Sequence, residues 1–105
     1  MTDNGKIVFI AEHYGLSHQL IQTAEEAAEL IQAAVKLLHA VEDENNHDEI
    51  MCARGALIEE LADVLIMAEQ LCCLADCETA VRGMIQIKLD RQMKRIRNAE
   101  GGGRK

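Results

Sequence analysis

Four acidic residues of this chain stand in two pairs, and within each pair the residues are three positions apart. Glu26 and Glu29 belong to the segment EEAAEL, and Glu60 and Asp63 belong to the segment EELADVLIM. On an α-helix, side chains at this spacing lie on one face, one turn above the other. Carboxylates so placed repel each other, and oxygen ligands are those that Mg²⁺ prefers. The two pairs therefore predict a site for a divalent cation, Mg²⁺ or alternatively Mn²⁺.

The alternative interpretation is that these acids are ordinary solvated residues on helix surfaces. It suits Glu25 and Glu59, which adjoin the pairs, better than it suits the pairs themselves. It is weakest for Asp63, because Asp is a poor helix former and this one precedes the apolar run VLIMA. A carboxylate in such a setting destabilises the fold unless something balances its charge.

The composition indicates that helices carry these acids. Apolar residues make up 49% of the 105 residues, whereas aromatic residues make up 2% and Pro is absent. Ala, Leu, Ile, Glu, Gln and Met predominate, and most of these are strong helix formers. The apolar periodicity predicts a short helix ending at Tyr14-Gly15 and three long helices after it. We therefore expect an all-α fold, a compact bundle of about four helices in one domain over residues 1–98, with a flexible tail over residues 99–105.

An apolar stripe on the first long helix predicts its packing face, and Ser17 is the predicted N-cap. The stripe consists of Leu20, Ala24, Ala27, Ile31, Ala34 and Leu38. At about 100° per residue, Glu26 and Glu29 fall on the other side, together with Leu30 and Leu37. We expect another helix or a second subunit to cover that side. A short chain with few aromatic residues also gains burial by assembling, so we expect a homodimer or homotetramer.

The charge distribution limits the partners. A formal net charge of −7 argues against direct nucleic-acid binding. The segment 82–97 is nevertheless basic, with Asp90 as its one acid. Its cations are Arg82, Lys88, Arg91, Lys94, Arg95 and Arg97. This separation of acidic and basic residues suits the binding of a small polyanion. A metal ion would link the polyanion to the acidic residues, and the basic residues would contact its other side.

Neither a signal peptide nor a transmembrane segment is indicated. No apolar run reaches the roughly 18 residues that a membrane span requires, and the first residues lack a long apolar stretch after basic residues. The four cysteines form no C-x-x-C pair and fit free thiols in a reducing compartment. We therefore expect a cytoplasmic protein without a membrane partner.

At its two acidic pairs the chain resembles the MazG-like all-α nucleoside triphosphate pyrophosphohydrolases. The signature of that family is E-x-x-E on one helix and E-x-x-D on another, a few tens of residues apart, which EEAAEL and EELADVLIM match. The resemblance covers about residues 12 to 97. It implies Mg²⁺-dependent hydrolysis of a nucleoside triphosphate to the monophosphate and pyrophosphate. It also implies that Glu26, Glu29, Glu60 and Asp63 are the metal-binding and catalytic residues.

Cations that bind the substrate phosphates are a further implication of this resemblance. Members of the family carry K-x-x-R in the last helix, and Lys88 and Arg91 match that pattern. Arg95 and Lys36 are additional candidates, and for all four residues a solvated basic surface is the alternative.

Several other functions fit the same residues. Within the superfamily, a dUTPase-like or a phosphoribosyl-ATP pyrophosphohydrolase-like enzyme would use the same metal site. Outside it, the chain could be a non-catalytic helical interaction module, or a regulator that binds a nucleotide without hydrolysing it. The sequence indicates neither the base nor the sugar.

Overall fold

The computed structural model describes residues 1–43 and 46–102, which form four helices. α1 spans Asp3–Tyr14, α2 spans Leu16–Glu42, α3 spans His47–Leu74 and α4 spans Glu78–Gly102. These two ranges contain no strand, so the prediction of an all-α fold with one short and three long helices is confirmed. The first four residues of the predicted tail belong to α4. The rest of the tail, 103–105, and part of the acidic loop, 44–45, lie outside the described residues.

A single residue, Gly15, separates α1 from α2. Its φ of 83° and ψ of 168° define a backbone conformation that is essentially restricted to glycine. Its N–H donates to the carbonyl of Ala11 at 2.8 Å, and its carbonyl accepts from the N–H of Gln19 at 3.1 Å. Gly15 thus ends one helix and caps the next, so Ser17 lies inside α2 and is not its N-cap.

Gly15→Ala is expected to lower the free energy of unfolding by about 1–3 kcal/mol, because a β-carbon disfavours this backbone conformation. The added atom would meet nothing within 4 Å, so the loss is conformational and not steric. Gly55→Ala is the matched control, since Gly55 is exposed inside α3 and also has open space around it. There the change is expected to stabilise by up to about 1 kcal/mol. Urea unfolding measures both, and equal effects at the two positions would contradict the assigned conformation of Gly15.

α2 and α3 pair through two matching series of buried and half-buried positions. On α2 the series is Gln19, Thr23, Glu26, Leu30, Ala33, Leu37 and Ala40. On α3 it is Ile50, Ala53, Leu57, Glu60, Val64, Met67, Leu71 and Leu74. Both alternate steps of three and four residues, the spacing of a coiled-coil seam. Gln19 contacts Gln70, and Glu26 lies near Glu60, so the two helices run antiparallel.

The packing face predicted for α2 is wrong. Leu20, Ile31 and Leu38 are 51%, 65% and 56% exposed, whereas Leu30 and Leu37 on the carboxylate side are half-buried. The prediction followed one series of apolar residues at three- and four-residue spacing, although Leu30 and Leu37 lie on the opposite side. The α2 side of the seam instead consists largely of small and polar residues, including Gln19, Ala33 and Ala40, which are the buried residues of α2. The side of α2 that carries Glu26 is therefore covered by α3 of the same chain.

α1 packs at one end of this pair, and α4 departs from it. α1 contacts both α2 and α3, and its Ala11 is fully buried. In the described residues α4 contacts α3 and neither of the other helices. Every residue from Glu78 to Gly101 is exposed. None of the described helices combines the length and the apolar character needed to cross a bilayer.

The turn between α3 and α4 is a Schellman motif. Asp76 adopts φ 51°, a left-handed conformation that Asp tolerates better than most residues. The N–H of Cys77 donates to the carbonyl of Cys72 at 3.1 Å, and the N–H of Asp76 donates to the carbonyl of Cys73 at 3.3 Å. These bonds satisfy the last carbonyls of α3 and set the direction in which the chain leaves it.

Candidate metal centre

Three of the four predicted ligands converge between α2 and α3. One carboxylate oxygen from each of Glu26, Glu60 and Asp63 lies within 4.8 Å of the other two. Glu26 and Glu60 are half-buried seam residues on facing helices, and Asp63 is exposed one turn after Glu60. Mg²⁺ holds each oxygen at about 2.1 Å, so opposite ligands lie about 4.2 Å apart. Small side-chain rotations would therefore close the three carboxylates around one ion.

Two oxygens of this cluster are buried without a hydrogen-bond partner. They are Oε2 of Glu26 and Oε2 of Glu60. The other oxygen of Glu26, Oε1, accepts from Nε2 of Gln22 at 3.0 Å. A buried acceptor that is left unpaired costs free energy. A cation bound by both glutamates would satisfy these oxygens, so the residues fit a divalent metal.

Burial raises the pKa of Glu26 and of Glu60 above the ordinary value of 4.5. For Glu60, the charges of Glu29 and Asp63 raise the pKa further. For Glu26, the hydrogen bond from Gln22 lowers the pKa and the charges of Glu29 and Asp63 raise it. The neighbouring negative charges therefore disfavour the ionisation of Glu26 and Glu60, and a bound cation would oppose this effect.

Glu29 lies at the margin of the site. It is exposed and is not one of the three that converge, yet its charge raises the pKa of both Glu26 and Glu60. Glu29 therefore acts on the site through its charge and is not one of the converging ligands.

The four predicted phosphate-binding cations are not brought to the carboxylates within one chain. Lys36 is ten residues after Glu26, which corresponds to about 15 Å along a helix. It lines an open cleft of about 500 Å³ with Asp43 and Glu49, at the loop end of the helix pair. Lys88, Arg91 and Arg95 lie on the exposed helix α4. In the described residues none of these four cations forms an ion pair with a carboxylate.

A buried pair of amides supports the site and is not apparent from the acidic motifs. Nε2 of Gln19 donates to Oε1 of Gln70 at 2.6 Å, and the two residues are 3% and 2% exposed. Nδ1 of His18 lies 2.7 Å from Oε1 of Gln19. A buried, hydrogen-bonded polar pair between two helices favours one register over others. The register in turn places Glu26 level with Asp63, one helical turn from Glu60, and the three-and-four spacing that starts at Gln19 is the sequence signal for it.

Without metal, the protein is expected to become less stable as the pH rises above 4.5 toward neutrality. Because the pKa values of Glu26 and Glu60 are raised in the folded state, that state holds protons that the unfolded chain has already released. Unfolding is therefore progressively favoured as the pH rises through the raised pKa values. Thermal unfolding in EDTA across this range measures the effect, with Glu26→Gln/Glu60→Gln as the comparison. An identical pH slope in the double variant would show that other groups cause it.

Comparisons with models of protein families, with curated proteins and with solved structures find no match to this chain.

Proposed function

We propose that this chain is a MazG-like, Mg²⁺-dependent nucleoside triphosphate pyrophosphohydrolase, which converts a (d)NTP and water to the (d)NMP and pyrophosphate. The observation that carries the proposal is the convergence of Glu26, Glu60 and Asp63 from two facing helices. The buried oxygens of Glu26 and Glu60 that lack a hydrogen-bond partner also support the proposal. If the two glutamates had only a structural role, these acceptors would stay unpaired, whereas a bound cation would satisfy them.

Each residue of the site has a role in this proposal. Glu26, Glu60 and Asp63 hold Mg²⁺, with Glu29 beside them. When bound, Mg²⁺ neutralises charge on the phosphate oxygens and makes water a better nucleophile near neutral pH. Gln22 orients Glu26 through its hydrogen bond. One of the glutamates accepts the proton of the attacking water, and Lys88 and Arg91 bind the outer phosphates, where negative charge develops.

The proposed enzyme acts in the cytoplasm as a homodimer or homotetramer. Large apolar side chains on α2, α3 and α4 are exposed in the single chain, among them Ile31, Leu65 and Ile96. Surfaces of this kind mark protein–protein contacts.

Pyrophosphate release across a substrate panel tests the proposal. The panel holds the canonical and damaged (d)NTPs, with dUTP and phosphoribosyl-ATP included, each with Mg²⁺ and with EDTA. We expect Mg²⁺-dependent release from at least one nucleotide, and the preferred one identifies the activity within the superfamily. Nucleotide binding without release would indicate a regulator. Neither binding nor release, with unfolding indifferent to Mg²⁺, would indicate a non-catalytic helical module.

A further inference from the structure

Two of the four cysteines meet at the turn between α3 and α4. Cys72 lies in the last turn of α3, and Cys77 directly precedes α4. The longer hydrogen bond of the Schellman motif joins these two residues, since the N–H of Cys77 donates to the carbonyl of Cys72 at 3.1 Å. Side chains at these two positions of the motif frequently contact each other. The turn therefore brings together two thiols whose spacing in the sequence gives no sign of a pair.

The backbone of this turn holds the two cysteines at a separation that a disulfide can bridge. If the atoms of the hydrogen bond lay in a straight line, standard backbone dimensions would put the α-carbons of Cys72 and Cys77 about 7 Å apart. The bent geometry of a real hydrogen bond brings them closer than this limit. Disulfides usually join α-carbons that are about 4.4–6.8 Å apart. The pair can therefore be oxidised without a rearrangement of the turn.

The two side chains interact with each other and remain within reach of solvent. Burial raises the pKa of the Cys72 thiol above its ordinary value of 9.0. The neighbouring Cys77 raises that pKa further, through its charge and through a hydrogen bond between the two side chains. Both cysteines are half-buried, whereas Cys52 and Cys73 are exposed. A small reagent can therefore reach the pair, and the two thiols are already neighbours before any reaction.

A disulfide at this position would act on the connection that holds α4. In the described residues α4 contacts α3 and neither of the other helices. Every residue from Glu78 to Gly101 is exposed, so little packing fixes the direction of the helix. That direction depends instead on the hydrogen bonds of the turn. A covalent bond between Cys72 and Cys77 would keep these hydrogen bonds closed, and its reduction would allow them to open.

We propose that Cys72 and Cys77 form a thiol–disulfide site, which a low-molecular-weight disulfide oxidises to an intramolecular disulfide across the turn. The proposal does not rest on the proposed function. In a reducing compartment such a pair consists of free thiols, and disulfides that form there are transient and sense the redox state. The site therefore makes the attachment of α4 to α3 depend on the balance between small thiols and small disulfides.

The reaction consists of two exchange steps. The Cys77 thiolate attacks one sulfur of the small disulfide, which forms a mixed disulfide and releases one small thiolate. Cys77 reacts first, because the raised pKa of Cys72 keeps that thiol protonated. Once Cys77 is capped, its charge no longer opposes the ionisation of Cys72, whose thiolate then attacks the sulfur of Cys77 and releases the second small thiolate. The two released thiolates take up the protons of the two cysteines, so the protein is oxidised by two electrons and the small disulfide is reduced to two thiols.

Mass spectrometry of two complementary variants tests the pairing. Cys52→Ser/Cys73→Ser keeps only the proposed pair, and Cys72→Ser/Cys77→Ser keeps only the two exposed cysteines. With oxidised glutathione under native conditions, we expect the first variant to become about 2 Da lighter and to lose both free thiols, and dithiothreitol to reverse the change. The second variant is expected to gain glutathione without losing two hydrogens. Glutathione that stays on the proposed pair, a disulfide between two chains of the first variant, or an internal disulfide in the second would overturn the proposal.

Hydrogen exchange of Cys52→Ser/Cys73→Ser tests whether the disulfide fastens α4. The N–H of Cys77 donates within the turn, and the N–H of Val81 donates to the carbonyl of Cys77 at 2.9 Å. In the oxidised form both amides are expected to exchange at least about tenfold more slowly than in the reduced form, because opening of the turn is blocked. The amide of Gln19, which is bonded to Gly15 between α1 and α2, is the control and should not change. The melting temperature is expected to rise by roughly 5–15 °C on oxidation. Equal exchange of Cys77 and Val81 in the two forms would overturn the role of the disulfide in holding α4.

Discussion

Glu60→Gln and Asp63→Asn are each expected to lower pyrophosphate release at least about a hundredfold while the helical circular dichroism spectrum stays unchanged. Both residues belong to the carboxylate group that would hold Mg²⁺, and both sit on the continuous helix α3. Each amide keeps the size of the acid but removes the charge that a hard cation requires. The loss should therefore appear in catalysis and not in folding.

Glu59→Gln is the matched control for these variants. Glu59 is exposed on α3 directly before Glu60 and is not one of the converging acids. Its neutralisation is expected to leave turnover at the wild-type level. In EDTA, Glu60→Gln is also expected to unfold at a higher temperature than wild type, because the repulsion from Glu29 and Asp63 is relieved. Wild-type turnover in both site variants would show that the site has been assigned to the wrong residues.

Millimolar Mg²⁺ is expected to raise the melting temperature markedly at neutral pH. A ligand at a hundred times its dissociation constant stabilises the native state by about 2.7 kcal/mol. For a domain of this size that corresponds to a rise of roughly 10–20 °C. The physical reason is that the ion satisfies the buried oxygens of Glu26 and Glu60 and offsets the repulsion among the carboxylates. Mn²⁺ is expected to act in the same way.

Two comparisons separate binding from general effects of salt. KCl at the same ionic strength only screens charges, so it is expected to produce a small rise. Glu60→Gln/Asp63→Asn is expected to respond to Mg²⁺ no more than to KCl. Protein concentration must be held constant, because the melting temperature of an assembly depends on it. If Mg²⁺ and KCl raise the melting temperature of the wild-type protein equally, a specific metal centre is excluded.

The sequence alone determined the class of fold and the residue types of the candidate site. A chain rich in Ala, Leu and Glu, with no Pro, leaves helices as its regular structure. The three-residue spacing of Glu60 and Asp63 places both on one side of α3 wherever that helix packs. These conclusions depend on local backbone geometry, which a helix imposes on any sequence that forms it.

The tertiary structure decided which side of α2 packs and which acids meet. Helical periodicity shows that Glu26 and Glu29 share a face, but a helix packs where its partner can approach closely. Here that approach runs through Gln19, Ala33 and Ala40, so Glu26 turns into the seam and Glu29 stays at its exposed margin. The distance between the acids and the cations of α4 likewise depends on the turn at Asp76. Such relations between helices arise from packing, and the spacing of the acidic pairs alone does not determine them.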